Sequence, residues 1–139
     1  MKNRITVEAL VHAPIEKVWR YWTEPEHITQ WNAASDDWHS PRAENDLHVG
    51  GRFTARMEAR DGSSGFDFGG TYTEVVPHER IVYVMDGEDE RSVEVLFQAE
   101  GDGVKVIETF DAENENSLEM QKNGWQAIID RFKKYVEEK

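Results

Sequence analysis

The apolar residues of this chain keep one period for most of its length and then change it. Five runs, at 47–58, 66–76, 81–85, 93–99 and 104–110, alternate apolar with polar residues. A period of two puts one set of side chains on one face of a β-strand. The connectors D-G-S-S-G, P-H-E, D-G-E-D-E and E-G-D-G are short and rich in turn formers, as an antiparallel meander requires. From Asn116 the spacing becomes helical. Leu118, Trp125, Ile128, Ile129, Phe132 and Val136 form one stripe running to the C-terminus, and Asn116 with Glu119 makes a capping box at its start. A sheet with one apolar face must be covered, and this last helix is the one element long enough to do it.

The N-terminal third completes the order. Residues 4–11 read R-I-T-V-E-A-L-V, a first strand with Ile5, Val7, Ala9 and Val11 on one face. Pro14 then opens a short helix in which Ile15, Val18, Trp19 and Trp22 recur at helical spacing. A second short helix begins near Thr23-Glu24-Pro25, turns Ile28 inward and ends near Trp31. The expectation is an α+β fold in a single domain over 1–139. A six-stranded curved antiparallel sheet wraps a long C-terminal helix, with two short helices between strands one and two and space left between sheet and helix.

Composition narrows the partners. The formal net charge is -12, which repels phosphate backbones and anionic headgroups, so neither nucleic acid nor membrane is an expected partner. The absence of Cys removes disulfides, thiolate metal sites and Cys nucleophiles. The N-terminus M-K-N-R-I-T-V-E has no apolar signal region and no window approaches a transmembrane span, so a cytoplasmic location is expected, as a monomer or homodimer.

Four segments carry a resemblance over nearly the whole chain. They are V-H-A-P-I-E-K-V-W-R-Y-W-T-E-P-E-H-I-T-Q-W at 11–31, D-L-H-V-G-G-R-F at 46–53, G-G-T-Y-T-E-V-V-P-H-E-R-I-V-Y at 69–83 and G-W-Q-A-I-I-D-R-F at 124–132. In this order they resemble the helix-grip fold of the SRPBCC superfamily, which includes START and birch-pollen-allergen domains. Within it the chain is most similar to the branch related to the activator of heat-shock protein ninety ATPase. The resemblance implies a hydrophobic cavity between sheet and helix, in a family divided among ligand binders, polyketide cyclases, resistance proteins and chaperone regulators. Many members carry two consecutive Trp where the second helix ends, whereas here Trp31 is followed by Asn32 and the next indole is Trp38.

A hydrophobic small molecule, aromatic or lipid-like, is therefore the first expected partner, with Trp31, Trp38, Phe53, Phe66, Phe68, Tyr72 and Trp125 as its contacts. Cyclase-like catalysis comes second, with Glu108, His39, Asp36, Arg52 and Tyr72 as the acid, base and positioning groups; chaperone regulation comes third. Glu108 shares parity with Val104, Val106 and Phe110 and would face the cavity, unless Lys105, Ile107 and Thr109 form the inner face instead. Arg52 turns inward only if Gly50-Gly51 forms a bulge. No metal or other cofactor is expected: Asp36, Asp37, His39 and His48 follow no metal-binding spacing, and Ser35 has no nucleophile-elbow context. The stretch W-N-A-A-S-D-D-W-H-S-P at 31–41 reads as a loop near one end of the cavity.

Overall fold

The computed structural model describes residues 3–87 and 90–139, so the acidic turn expected at 87–90 lies in part outside the described residues. Strand β1 (Arg4–Val11) alternates as its sequence does, with Ile5, Val7, Ala9 and Val11 buried. Pro14 precedes α1 (Ile15–Thr23), and Pro25 opens α2 (Pro25–Trp31), where its missing N–H costs no helical hydrogen bond. α1 buries Val18 and Tyr21, and α2 buries Trp31, whose indole Nε1 donates to the Tyr21 carbonyl at 3.0 Å.

The five alternating runs become β4 (Arg52–Ala59), β5 (Gly65–Val76), β6 (Arg80–Met85), β7 (Ser92–Glu100) and β8 (Gly103–Asp111). They pair antiparallel in sequence order, and β1 closes the series against β8. The helix α3 (Leu118–Glu138) lies across the concave face and buries Ile129, Phe132 and Val136. The result is the expected α+β helix-grip arrangement: a curled antiparallel sheet packed on a long C-terminal helix, with two short helices after β1.

Four details differ from expectation. Two further strands, β2 (Trp38–His39) and β3 (Ala43–Asn45), pair along the free edge of β4. Strands of two and three residues are too short to show alternation, and they exist because β4 offers unpaired backbone groups. β4 begins at Arg52 rather than Leu47. Gly50, at φ +87°, donates to the Tyr72 carbonyl, and Gly51 donates to that of His48. The segment before Arg52 is therefore a turn, and Val49 is exposed rather than inward. The register shift falls in β5, between Tyr72 and Glu74, and not at Gly50-Gly51. Finally, α3 is capped by Ser117, whose Oγ accepts from the Met120 N–H at 3.0 Å, and not by Asn116. Leu118, at the first turn beyond the sheet, is 48% exposed, and the buried first-turn residue is Gln121. The Gln121 amide bonds to the backbone of Glu113 and Asn116, holding the connection from β8.

Candidate functional site: the cavity between sheet and helix

The curl of β4, β5 and β6 away from α3 leaves a cavity of about 220 Å³. Gly70 lets β5 approach β6 and Phe53 closely beside it. A Cβ there would lie 2.5 Å from the Val84 carbonyl and 3.1 Å from the Phe53 ring, so a larger residue would force β6 or the Phe53 ring to shift. Phe53, Ala55 and Met57 of β4, Phe68 and Tyr72 of β5, and Ile81 and Tyr83 of β6 line the sheet side. Trp22, Ile28 and Trp31 close one end and Trp125 and Ile128 of α3 cover the space. Exposed Glu44 and Phe66 mark its mouth.

Aromatic rings brace one another around this space. Phe53 packs edge-on to Tyr83 with centroids 4.7 Å apart, and Phe68 lies 6.2 Å from Trp125 in a T-shaped contact. Trp125 stacks on Phe110 at 3.9 Å and 11°, and Trp31 stacks on Trp22 at 5.0 Å. Such pairs add rigidity beyond area burial.

Tyr72, Tyr83 and Glu108 bring polar groups into these walls from the sheet. Tyr72 donates its hydroxyl to Asn45 Oδ1 at 2.5 Å, and Asn45 Nδ2 donates to the Thr23 carbonyl at 2.6 Å, tying the cavity wall to the end of α1. Burial raises the Tyr72 phenol above its ordinary pKa. Tyr83 is raised too, by burial first and by the neighbouring Glu108 second. Glu108 is 5% exposed, and burial pushes its carboxyl up to about 8. Its backbone pairs with Val7 and Val95, and Val104, Val106 and Phe110 are buried on the same face of β8. Of the two parities open in the sequence, the inward one is the one adopted.

The structure divides the residues singled out in the sequence. Glu108 and Tyr72 line the cavity, as do Trp31, Phe53, Phe66, Phe68 and Trp125. Trp38 does not; its ring packs 6.0 Å from Phe66, outside the lining. Arg52 points to the outer face, bonded to Asp86 at 2.6 Å and to the Thr71 hydroxyl at 2.9 Å, because β4 runs from Arg52 without a bulge. Asp36 is held outside by Arg131 of α3 at 2.9 Å. His39 sits in β2 opposite Glu58, also outside the lining. Tyr83, Ile81 and Asn45 were not singled out. The first two could have been, since I-V-Y-V-M alternates, whereas nothing in R-A-E-N-D marks Asn45 as a link.

Of the acidic and His side chains of the 36–48 segment, Asp46 and His48 pair at 2.8 Å, and no three come within metal-ligating reach of one another. Among the described residues, a group with metal-ligating reach is Glu24, Glu26 and His27 at the α1–α2 corner. There His27 already bonds the Tyr135 hydroxyl at 2.7 Å and stacks on Tyr21.

Comparison with known proteins places this architecture. Residues 12–137 match the family model described as activator of Hsp90 ATPase homolog 1-like protein. The solution structure of the AHSA1-like protein of Aeromonas hydrophila is 49% identical, with TM-score 0.90 over 98% of this chain and 93% of that one. A protein of Cytophaga hutchinsonii, also solved in solution, is 50% identical, with TM-score 0.83 over 97% of this chain and 92% of its own. A Chromobacterium violaceum protein of 24% identity shares the fold at TM-score 0.86, over 97% of both chains. No curated protein matches the chain.

Proposed function

Because the chain belongs to the activator of Hsp90 ATPase homolog 1-like family, and its cavity is walled by braced aromatic rings, we propose that it binds a small apolar molecule between sheet and helix. The observation that carries this function is the cavity itself. In a close-packed interior a space of about 220 Å³ lined by Phe53, Phe68, Trp125 and Ile128 is far larger than ordinary packing defects. It lies just below the roughly 300–1,000 Å³ of pockets for drug-sized ligands, which favours a compact occupant over a long lipid chain. Indoles at the wall, Trp22, Trp31 and Trp125, give such binding a direct optical signal.

Cyclase-like chemistry has less support. Of its five groups, His39, Asp36 and Arg52 are engaged outside the cavity, and the Tyr72 hydroxyl is committed to Asn45.

The test is titration with fluorene, a compact aromatic hydrocarbon, read by quenching of Trp fluorescence and by thermal shift. Saturable quenching with a raised Tm is expected. Ala55→Phe, which fills the space from β4, should abolish both signals while the far-UV spectrum stays native. A protein that takes up neither fluorene nor related compact aromatics would refute the function.

A further inference from the structure

Glu108 is out of keeping with everything around it. The residue is 5% exposed in a wall of mostly aromatic and aliphatic groups, and burial alone, with no hydrogen-bond or charge partner among the described residues, acts on its carboxyl. Among the described residues no Lys, Arg or His lines the cavity, so none of them compensates a carboxylate charge there. Its immediate partners across the sheet, Val7 and Val95, are apolar, and Trp125 and Ile128 cover the cavity from α3. The ionisable groups that share the space are Tyr83 on β6, Tyr72 on β5 and Glu44 at the mouth on β3. None of these is a cation. The Tyr83 hydroxyl likewise makes no hydrogen bond to another described residue, whereas Tyr72 is already committed to Asn45.

Together these facts decide what the inner wall offers a guest. An uncompensated carboxyl in an apolar wall is held in its neutral form, and burial does raise it to about 8. A neutral carboxyl and a neutral phenol are both O–H donors. A ligand oxygen can accept from either O–H, whereas a charged ligand would meet an opposite charge only if the carboxyl gave up its proton against its burial.

We propose that Glu108 is the recognition group of this cavity, and that the ligand it selects is an uncharged aromatic molecule presenting a carbonyl oxygen to it. The carboxyl O–H donates to that oxygen, with no bond made or broken. This rests on the proposed binding function and adds the class of ligand.

Fluorene, fluorenone and aminofluorene form a matched set with one ring frame carrying, in turn, no polar group, a ketone and an amine. With the wild-type protein at pH 7, fluorenone should bind about tenfold more tightly than fluorene, the equivalent of one net hydrogen bond. Glu108→Leu should erase that preference while still taking up fluorene. Glu108→Gln, which keeps a neutral donor, should retain it. Raising the pH above about 8 should weaken fluorenone selectively in the wild type and leave Glu108→Gln unaffected. Equal binding of fluorene and fluorenone, or a ketone preference that survives Glu108→Leu, would overturn the ligand class while leaving the binding function intact. Tighter binding of aminofluorene than of fluorenone would overturn it in favour of a wall that accepts from the ligand rather than donating to it. Failure of all three compounds to bind would refute the binding function, and this inference with it.

Discussion

Glu108 sets the pH behaviour of the folded chain. Its carboxyl titrates near 4.5 when unperturbed and near 8 in the fold. Between those values the folded state keeps a proton that the unfolded chain releases, so stability is greatest below the lower value and falls as pH rises through the window. The loss is on the order of a few kcal/mol. Urea melts from pH 4 to 9 should show that decline in the wild type and not in Glu108→Gln, which preserves shape but cannot ionise. Parallel pH dependence in the two proteins would mean that Glu108 is solvated. Parity along β8 made an inward Glu108 one of two legible faces, since Val104, Val106 and Phe110 share its face. Its lack of a partner among the described residues was not legible, since that depends on what β1, β6, β7 and α3 bring to the same point.

Among the elements, long and regular ones were readable and short ones were not. The six long strands and α3 each carry enough residues for their period to declare itself. β2 and β3 do not, and they are strands only because the edge of β4 pairs with them. Helix ends show the same limit. Asn116 and Ser117 are both good capping residues by chemistry, and the geometry of the turn after β8 decides between them in favour of Ser117. Ser117→Ala should therefore cost about 1 kcal/mol of unfolding free energy, and Asn116→Ala should stay within about 0.5 kcal/mol of wild type. Denaturant midpoints at constant slope would measure both, and the opposite ranking would return the cap to Asn116.

For the molecule as a whole, the excess of 28 acidic over 16 basic residues works against compactness, because like charges approach one another on folding. Ion pairs such as Arg52–Asp86 and Arg131–Asp36 answer only part of it and lie in solvent. Raising ionic strength from roughly 0.01 to 0.15 M shortens the screening length from about 30 Å to about 8 Å. The Tm should rise over that interval in sodium chloride. A Tm that falls would show that the exposed ion pairs outweigh the repulsion. Among the described residues no helix is long and apolar enough to cross a membrane.

Local pattern carried the architecture a long way. Side-chain period and turn chemistry act over a few residues, so the order of elements, the inward faces and the aromatic character of the space under α3 were all written along the chain. The 31–41 stretch shows where that ends. Its two carboxylates, imidazole and second indole resemble a site when read in line. In the fold Asp36 holds α3 through Arg131, Trp38 leans on Phe66 outside the lining, and only Trp31 and Asn32 of the stretch reach the cavity. Convergence is a property of residues far apart in sequence. Glu108, Tyr72 and Tyr83 meet because β5, β6 and β8 curl around one helix, and no local signal encodes that meeting.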